Sequence, residues 1–455
     1  MKVKDIVNII NGNLIQGDQE KECETFSKDT RTIQKGDIYI GIKGEKFDGS
    51  MFWKEALDNG ADAVIIENVE IFKQELEKYS NKTIIKVEDT LKALYEIARY
   101  KRSLYDIPVI AVTGSVGKTS TKDIIASVVG TGYKTLKTEG NNNNNIGLPL
   151  TILKLKDHQA VVVEMGMNHL GEISLLTSIA KPTLAVITNI GTSHIGNLGS
   201  RENILKAKLE ILEGMEIPKI IINNDNDLLH EWYENNKEKM EIHTFGIENK
   251  SELNAENIQL RENESIFSVV SQTENINVKV PVGGNHFVYN ALCATCVGKI
   301  LGISNEKIKK GISQFELTKK RMDIRKLENG AVLINDAYNA SYESVKASLE
   351  YLSNYEGKRK IAVLGDMLEL GEFSEELHRN VGKEVGKRNV DILICTGNNS
   401  KFIIEETKKN QNIQTYYFHN NEQIVEKLKG ELKNGDIVLV KASNGMKFFE
   451  ICQKL

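Results

Sequence analysis

The run Ile107-Pro108-Val109-Ile110-Ala111-Val112 passes directly into Thr113-Gly114-Ser115-Val116-Gly117-Lys118-Thr119-Ser120, and no other stretch constrains the fold as much. A run without a polar side reads as a strand covered on both faces, which calls for a parallel sheet with helices packed against it. A glycine turn, Lys-Thr and a helix-like stretch after such a strand have the layout of a phosphate-binding loop. Glycines let backbone N–H groups point at phosphate oxygens, a lysine neutralises the terminal phosphates, and a Thr hydroxyl can ligate Mg²⁺. The full pattern places a glycine five residues before Gly117, where this chain has Val112. The loop is a shortened form, and taken alone it also reads as a plain turn between a strand and a helix. The residues that would cradle a nucleotide are Gly114, Ser115, Val116, Gly117, Lys118, Thr119 and Ser120.

At 455 residues the chain is too long for one ordinary core, and two to four domains are expected. Its net charge of −4 does not mark a nucleic-acid binder, although a local basic pocket for an anionic small molecule stays open. No apolar stretch approaches the roughly 18 residues that would span a bilayer. Asn8, Asn11 and Asn13 interrupt the N-terminal segment, so no secretory signal is expected. Five cysteines, an odd and sparse set, fit a reducing cytoplasm. Cys293 and Cys296 form a C-x-x-C, but it lies in a small-residue helical run without a second cysteine pair, so core packing is expected over metal binding.

Three segments follow from the patterning. Residues 1–106 alternate short strands (Asp37 to Ile42, Ala63 to Ile66) with helices, ending in an amphipathic helix from Thr90 to Tyr105. Residues 107–317 carry the phosphate loop and the apolar runs Ala160 to Val163, Leu184 to Ile187 and Lys219 to Ile222. From Ile247 to Val282 the pattern alternates polar and apolar residues, which suggests a small antiparallel excursion before a helix from Asn285 to Leu301. Residues 318–455 carry four more apolar strands, from Ala331, Lys360, Asp391 and Asp436, with helices between them, as in a doubly wound unit. The expected fold class is α/β with three domains: a small N-terminal α/β domain, a central parallel-sheet domain with the phosphate loop, and a C-terminal Rossmann-like domain.

Ligands of open α/β sheets bind at the carboxyl edge of the strands. Glu164 closes one such strand, where it can ligate Mg²⁺ or be a solvated strand-end acid. His194 follows the next strand, in Thr188-Asn189-Ile190-Gly191-Thr192-Ser193-His194, and falls at the same edge. Lys208 lies in an apparent helix from Ser200 to Leu212, and by spacing alone it is an exposed helix lysine. Asn335-Asp336-Ala337-Tyr338-Asn339 and Gly365-Asp366-Met367-Leu368-Glu369-Leu370-Gly371 each follow a strand of the last segment. They could face the nucleotide across a closing interface or be local turn chemistry.

As a set these residues resemble the ATP-dependent Mur ligases of peptidoglycan assembly, and the resemblance covers all three segments. Asp29-Thr30-Arg31 and the stretch Gly44 to Gly49 with Asp48 are similar to the UDP-binding domain of that family. The loop has the family's Thr-Gly-Ser-x-Gly-Lys-Thr form. The asparagine run matches Asn-x-Asn-Asn-x-x-Gly-x-Pro-x-Thr through Asn141, Asn143, Asn144, Gly147, Pro149 and Thr151. The resemblance implies substrate binding by Asp29, Thr30, Arg31, Asp48, Asn141, Asn143 and Asn144. It implies ATP contacts from His286, Asn290, Arg321, Asp336, Tyr338 and Asn339 besides the loop, with Asp336 as a ribose partner. Lys118, Glu164, His194 and Lys208 are the implied catalytic residues, and Thr119, Glu164, His194 and Lys208 the implied Mg²⁺ ligands, Lys208 as a carbamate. The activity implied is that of an ATP- and Mg²⁺-dependent amide ligase, monomeric and cytoplasmic. Its partners would be UDP-N-acetylmuramoyl-tripeptide and D-Ala-D-Ala, with neither nucleic acid nor membrane insertion. The chain departs from the family pattern at Asn335, at Ser341-Tyr342-Glu343 and at Asn444, the last where arginine is expected. A sister ligase with another acceptor, a nucleotide-binding regulator without turnover, and a phosphate-loop kinase are the competing readings.

Overall fold

Strands made only of Val, Ile, Ala and Leu must be buried on both faces, and the computed structural model places them so. It describes residues 1–44, 47–67, 69–316, 322–410 and 412–455. The central sheet has nine strands. In spatial order they are Thr135–Lys137, Ala160–Glu164, Val109–Thr113, Leu184–Ile187, Lys219–Asn223, Glu241–Gly246, Leu253–Leu260, Ser265–Val270 and Asn275–Val280. The pairings up to Leu253–Leu260 are parallel and the last two are antiparallel. The expected antiparallel excursion is therefore a continuation of the central sheet. Its outermost strand, Asn275–Val280, alternates exposed and buried residues because only one face is covered.

A five-stranded sheet precedes it, in the order Asn13–Gln16, Thr83–Lys86, Ala63–Ile66, Ile38–Ile40 and Phe26–Ser27. The helix Thr90–Ser103, opened by Asp89 accepting from Lys92 N–H at 2.8 Å, leads into the central sheet. Its buried Arg102 donates from Nε to the Ala180 carbonyl at 2.8 Å, which ties the two units together.

The third sheet has six strands: Asp323–Lys326, Val332–Asn335, Asp436–Lys441, Arg359–Gly365, Ile392–Thr396 and Gln414–Phe418. All its pairings are parallel except that of the first strand. The expected boundary at 317/318 lies outside the described residues. One apolar cluster runs continuously from Val3 through the central sheet to Leu439, while two smaller clusters fill the far faces of the first and third sheets. Cys293 and Cys296 are 1% and 2% exposed inside the helix Asn285–Ile300, and burial pushes both thiols up, as expected of core residues. No helix among the described residues is long and apolar enough to cross a membrane.

Candidate active site

Four parallel strands, Ala160–Glu164, Val109–Thr113, Leu184–Ile187 and Lys219–Asn223, end at one edge, so the loops after them converge. The phosphate loop is held rigid by its neighbour. Ser115 N–H donates to the Asn189 carbonyl and Val116 N–H to Asn189 Oδ1, each at 3.0 Å. Thr188 Oγ1 donates to the Val116 carbonyl at 2.7 Å. Gly114 has φ +151°, and a Cβ there would fall 1.9 Å from Thr188 Oγ1, so only glycine allows this bracing. The loop ends in the helix Lys118–Val129, whose first N–H groups have no intrahelical acceptor and form a row suited to anions. Lys118 Nζ folds back over the loop, 2.8 Å from the Gly114 carbonyl.

Glu164 is 1% exposed, which removes the solvated-acid reading. Its Oε1 accepts from Asn143 Nδ2 at 2.7 Å, and its backbone N–H donates to Thr138 Oγ1 at 3.0 Å. Its Oε2 is buried without a hydrogen-bond partner. A buried carboxylate oxygen in that position is costly unless a cation or a proton donor meets it. Together with the Thr119 hydroxyl it makes an oxygen donor set of the kind Mg²⁺ takes alongside waters and phosphates, so the residues fit the ion. Among the described residues no group of three His, Cys, Asp or Glu could hold a metal by itself. Asn143 also donates to Asn141 Oδ1 at 3.2 Å. Asn144 instead turns its Oδ1 to the N–H groups of Ile146 and Gly147, 3.2 and 2.9 Å away, where the helix Gly147–Leu153 begins.

His194 sits at φ +64°, and its Nδ1 lies 2.6 Å from Glu369 Oε2 of the third sheet's loop. Burial and the nearby Lys118 cation push its pKa below the ordinary histidine value. Lys208 is 2% exposed, so the exposed helix lysine read from spacing is corrected: its helix, Arg201–Leu209, turns this residue inward. Burial and the charge of Lys118 drive its pKa far down, which favours the neutral amine.

The opposite wall comes from the third sheet and the helix Asn285–Ile300. Asp336 accepts from Ser348 Oγ at 2.7 Å and pairs with the buried Lys441, so the expected ribose partner is already neutralised on its inner side. Asn290 accepts from Thr121 at 2.9 Å through Oδ1, while its buried Nδ2 has no partner. Burial pushes His286 down to about 4, so it is neutral near pH 7. The cavity enclosed by these groups is about 450 Å³. Lining it are Ser115 to Ser120, Asn141, Asn143, Asn144, Glu164, His194, His286, Asn290, Asp336, Tyr338 and Asn339. Gly114 and Lys208 do not line it, and Arg321 lies outside the described residues.

Asp29, Thr30, Arg31 and Asp48 do not reach the cavity. They lie in or cap short helical turns of the first domain, where Asp29 binds the exposed Arg31 through two hydrogen bonds of 2.8 and 2.6 Å, and the guanidinium lowers the Asp29 pKa to about 2. Thr30 donates to Glu55 at 2.6 Å, and Asp48 caps a short helical turn through Ser50 N–H at 2.8 Å.

Sequence reasoning missed several lining residues: Asn189, Asn223, Phe245, Tyr289, Glu343 and Ser348. The strand-edge argument applied to Glu164 and His194 would have found Asn189 and Asn223, since both lie at the ends of apolar strands of the same sheet. Asn444, to which no role was given, lines the cavity as well.

Three family models match the chain: the Mur ligase family catalytic domain over residues 26–102, the Mur ligase middle domain over 112–298, and the Mur ligase glutamate ligase domain over 320–444. The UDP-N-acetylmuramoyl-tripeptide–D-alanyl-D-alanine ligase of Bacillus subtilis (strain 168) is 37% identical over 458 residues, spanning 100% of this chain and 98% of that protein. A crystal structure of MurF from Acinetobacter baumannii superposes with a TM-score of 0.87 at 28% identity, covering 100% of this chain and 98% of the other. The structure of MurF ligase from Thermotoga maritima in complex with ADP gives 0.81 at 29% identity, covering 95% and 96%.

Proposed function

The chain belongs to the Mur ligase family, and from that premise we infer that it joins D-alanyl-D-alanine to UDP-N-acetylmuramoyl-tripeptide with conversion of ATP to ADP and phosphate. One observation carries the chemistry: the amide row of the phosphate loop, Lys118 and the partnerless Glu164 oxygen share one cavity with a second wall from another sheet. Such a site can bind a nucleotide triphosphate on one side and shield a second reactant on the other.

A carboxylate is a poor electrophile, so the tripeptide carboxylate oxygen first attacks the γ-phosphorus. The bond to the β,γ-bridging oxygen breaks and ADP leaves. The free amine of the dipeptide then adds to the acyl phosphate carbon. The tetrahedral intermediate collapses to the amide, loses a proton, and expels phosphate carrying the former carboxylate oxygen. Protein groups act by charge and position. Lys118 and the first N–H groups of the helix Lys118–Val129 stabilise the charge on the transferring phosphoryl group. Thr119 and Glu164 would hold Mg²⁺, with His194 offering Nε2 because Nδ1 faces Glu369; the ion neutralises phosphate charge when bound. The neutral Lys208 amine is the form that adds CO₂, releasing a proton and leaving a carbamate able to bind a cation. Asn290 Nδ2 and His286 offer polar contacts to the nucleoside. The Asp29–Arg31 pair of the first domain offers a charged, exposed contact for the uridine diphosphate end. In this reading residues 1–106 hold the uridine nucleotide, 107–317 the ATP, and 318–455 close the site.

The test is ADP release and product mass with Mg-ATP and the UDP-linked tripeptide, with and without D-Ala-D-Ala. Release that requires the dipeptide, with the UDP-linked pentapeptide formed, is the expected result. Release with a single amino acid but not with the dipeptide would instead assign a sister ligase.

A further inference from the structure

The loop after Leu184–Ile187 is gripped from the third sheet by two carboxylate-bearing residues, and the grip falls on both sides of His194. Glu343, in the first turn of the helix Tyr342–Asn354, accepts from Thr192 N–H at 2.8 Å through Oε1 and from Thr192 Oγ1 at 3.1 Å through Oε2. The approach is close enough that a Cβ on Gly191 would lie 2.5 Å from the Glu343 carboxyl carbon. Glu369 places its carboxylate against His194, two residues after Thr192, and accepts Gly196 N–H at its backbone carbonyl, 3.1 Å away. The Glu369 loop is itself supported from behind. The fully buried His378 accepts Met367 N–H at 3.0 Å through Nε2, and Ser443 Oγ accepts Leu368 N–H at 2.9 Å.

The gripped segment is also the brace of the phosphate loop. Gly191 N–H donates to Ser115 Oγ at 2.8 Å, and Ser193 Oγ donates to the Ser115 carbonyl at 3.2 Å. Glu343 is therefore linked to Ser115 by its hydrogen bonds to Thr192, the backbone on either side of Thr192, and the bonds of Gly191 and Ser193 to Ser115. Both carboxylate oxygens of Glu343, a residue that also lines the cavity, are engaged by Thr192.

We propose that Glu343 is a positioning residue: seated on Thr192, it makes docking of the third domain a condition for setting the phosphate loop and His194 in their reactive arrangement. A charged acceptor bridging two donors of one residue is stronger than a neutral contact and is lost entirely when the domains part. ATP would bind to the central domain before the grip forms, and phosphoryl transfer would wait for it. The inference rests on the ligase reading above.

The experiment is steady-state kinetics on the full chain with Glu343→Gln, Thr192→Val, Thr192→Ser and the Glu343→Gln/Thr192→Val pair, with melting temperature and equilibrium ATP affinity measured alongside. Glu343→Gln and Thr192→Val should each lower kcat about tenfold, with ATP affinity and melting temperature little changed. The double variant should lose little more than the worse single one, because Thr192→Val removes the hydroxyl contact that Glu343→Gln already weakens. Thr192→Ser, which keeps the hydroxyl, should restore the rate. Undiminished kcat in both single variants, multiplied losses in the double variant, or weakened ATP binding at constant kcat would each overturn the proposal. Wild-type turnover in the same assay separates the two claims, since its absence would count against the ligase reading itself.

Discussion

Glu164 concentrates the argument at the scale of single residues. Its buried carboxylate has one oxygen satisfied by Asn143 and one without a hydrogen-bond partner, so in the proposed reading charge rather than shape is what the site asks of it. Glu164→Gln keeps the acceptor for Asn143 and removes the charge. We expect kcat to fall on the order of 100-fold, with the apparent affinity for Mg²⁺ reduced and the melting temperature retained. A rate within twofold of wild type would remove Glu164 from the ion's site. Histidine gives a second residue-scale expectation. His286 titrates at about 4 in the folded chain against 6.5 for an unperturbed histidine, because burial disfavours the charged ring. Between those values the unfolded chain binds the proton and the folded chain does not, so stability falls as pH drops from about 6.5 toward 4. The full effect is at most on the order of 3 kcal/mol, at 1.36 kcal/mol per pKa unit. Denaturant unfolding of the ligand-free protein at pH 7, 5.5 and 4.5 measures it, and His286→Gln should flatten that part of the profile.

At the scale of elements, the loop between the strand Val109–Thr113 and the helix Lys118–Val129 depends on glycine at position 114. Its φ of +151° and the 1.9 Å approach of a hypothetical Cβ to Thr188 leave no room for a side chain. Gly114→Ala should weaken ATP binding by about tenfold or more, corresponding to 1–3 kcal/mol of backbone strain, as measured by equilibrium titration. Much of this element was legible in the sequence, because an uninterrupted apolar run followed by Gly-x-x-Gly-Lys-Thr leaves few folded alternatives. The strands Ala63–Ile66 and Leu184–Ile187 were legible for the same reason. Gln414–Phe418 was not, since it lies at a sheet edge where partly exposed Tyr and Gln replace the continuous apolar signal. Lys208 was misread although it lies four residues after Ile204, on the one face of its helix that is buried. Its helix has only Ile204, Ala207 and Lys208 buried, and nothing local says that a lysine belongs with them.

The whole molecule adds what no segment contains. The sequence placed Glu164, His194 and the phosphate loop at one edge because strand ends of a parallel sheet must converge, and that inference needed no knowledge of how the third sheet docks. The partners of Glu343 and Glu369 were invisible, since contacts between residues 151 and 175 positions apart depend on domain placement rather than on pattern. The Asp29–Arg31 pair stands apart from the cavity, so a substrate that reaches both must be long, which suits a nucleotide-linked peptide.

The central claim is that ATP activates the tripeptide carboxylate, and oxygen labelling tests it most directly. With both oxygens of the tripeptide's terminal carboxylate labelled with ¹⁸O, turnover in the presence of D-Ala-D-Ala should place one ¹⁸O in each phosphate released and leave the other in the new amide. Unlabelled phosphate formed at the rate of ADP release would mean that water is the acceptor, and would contradict the account.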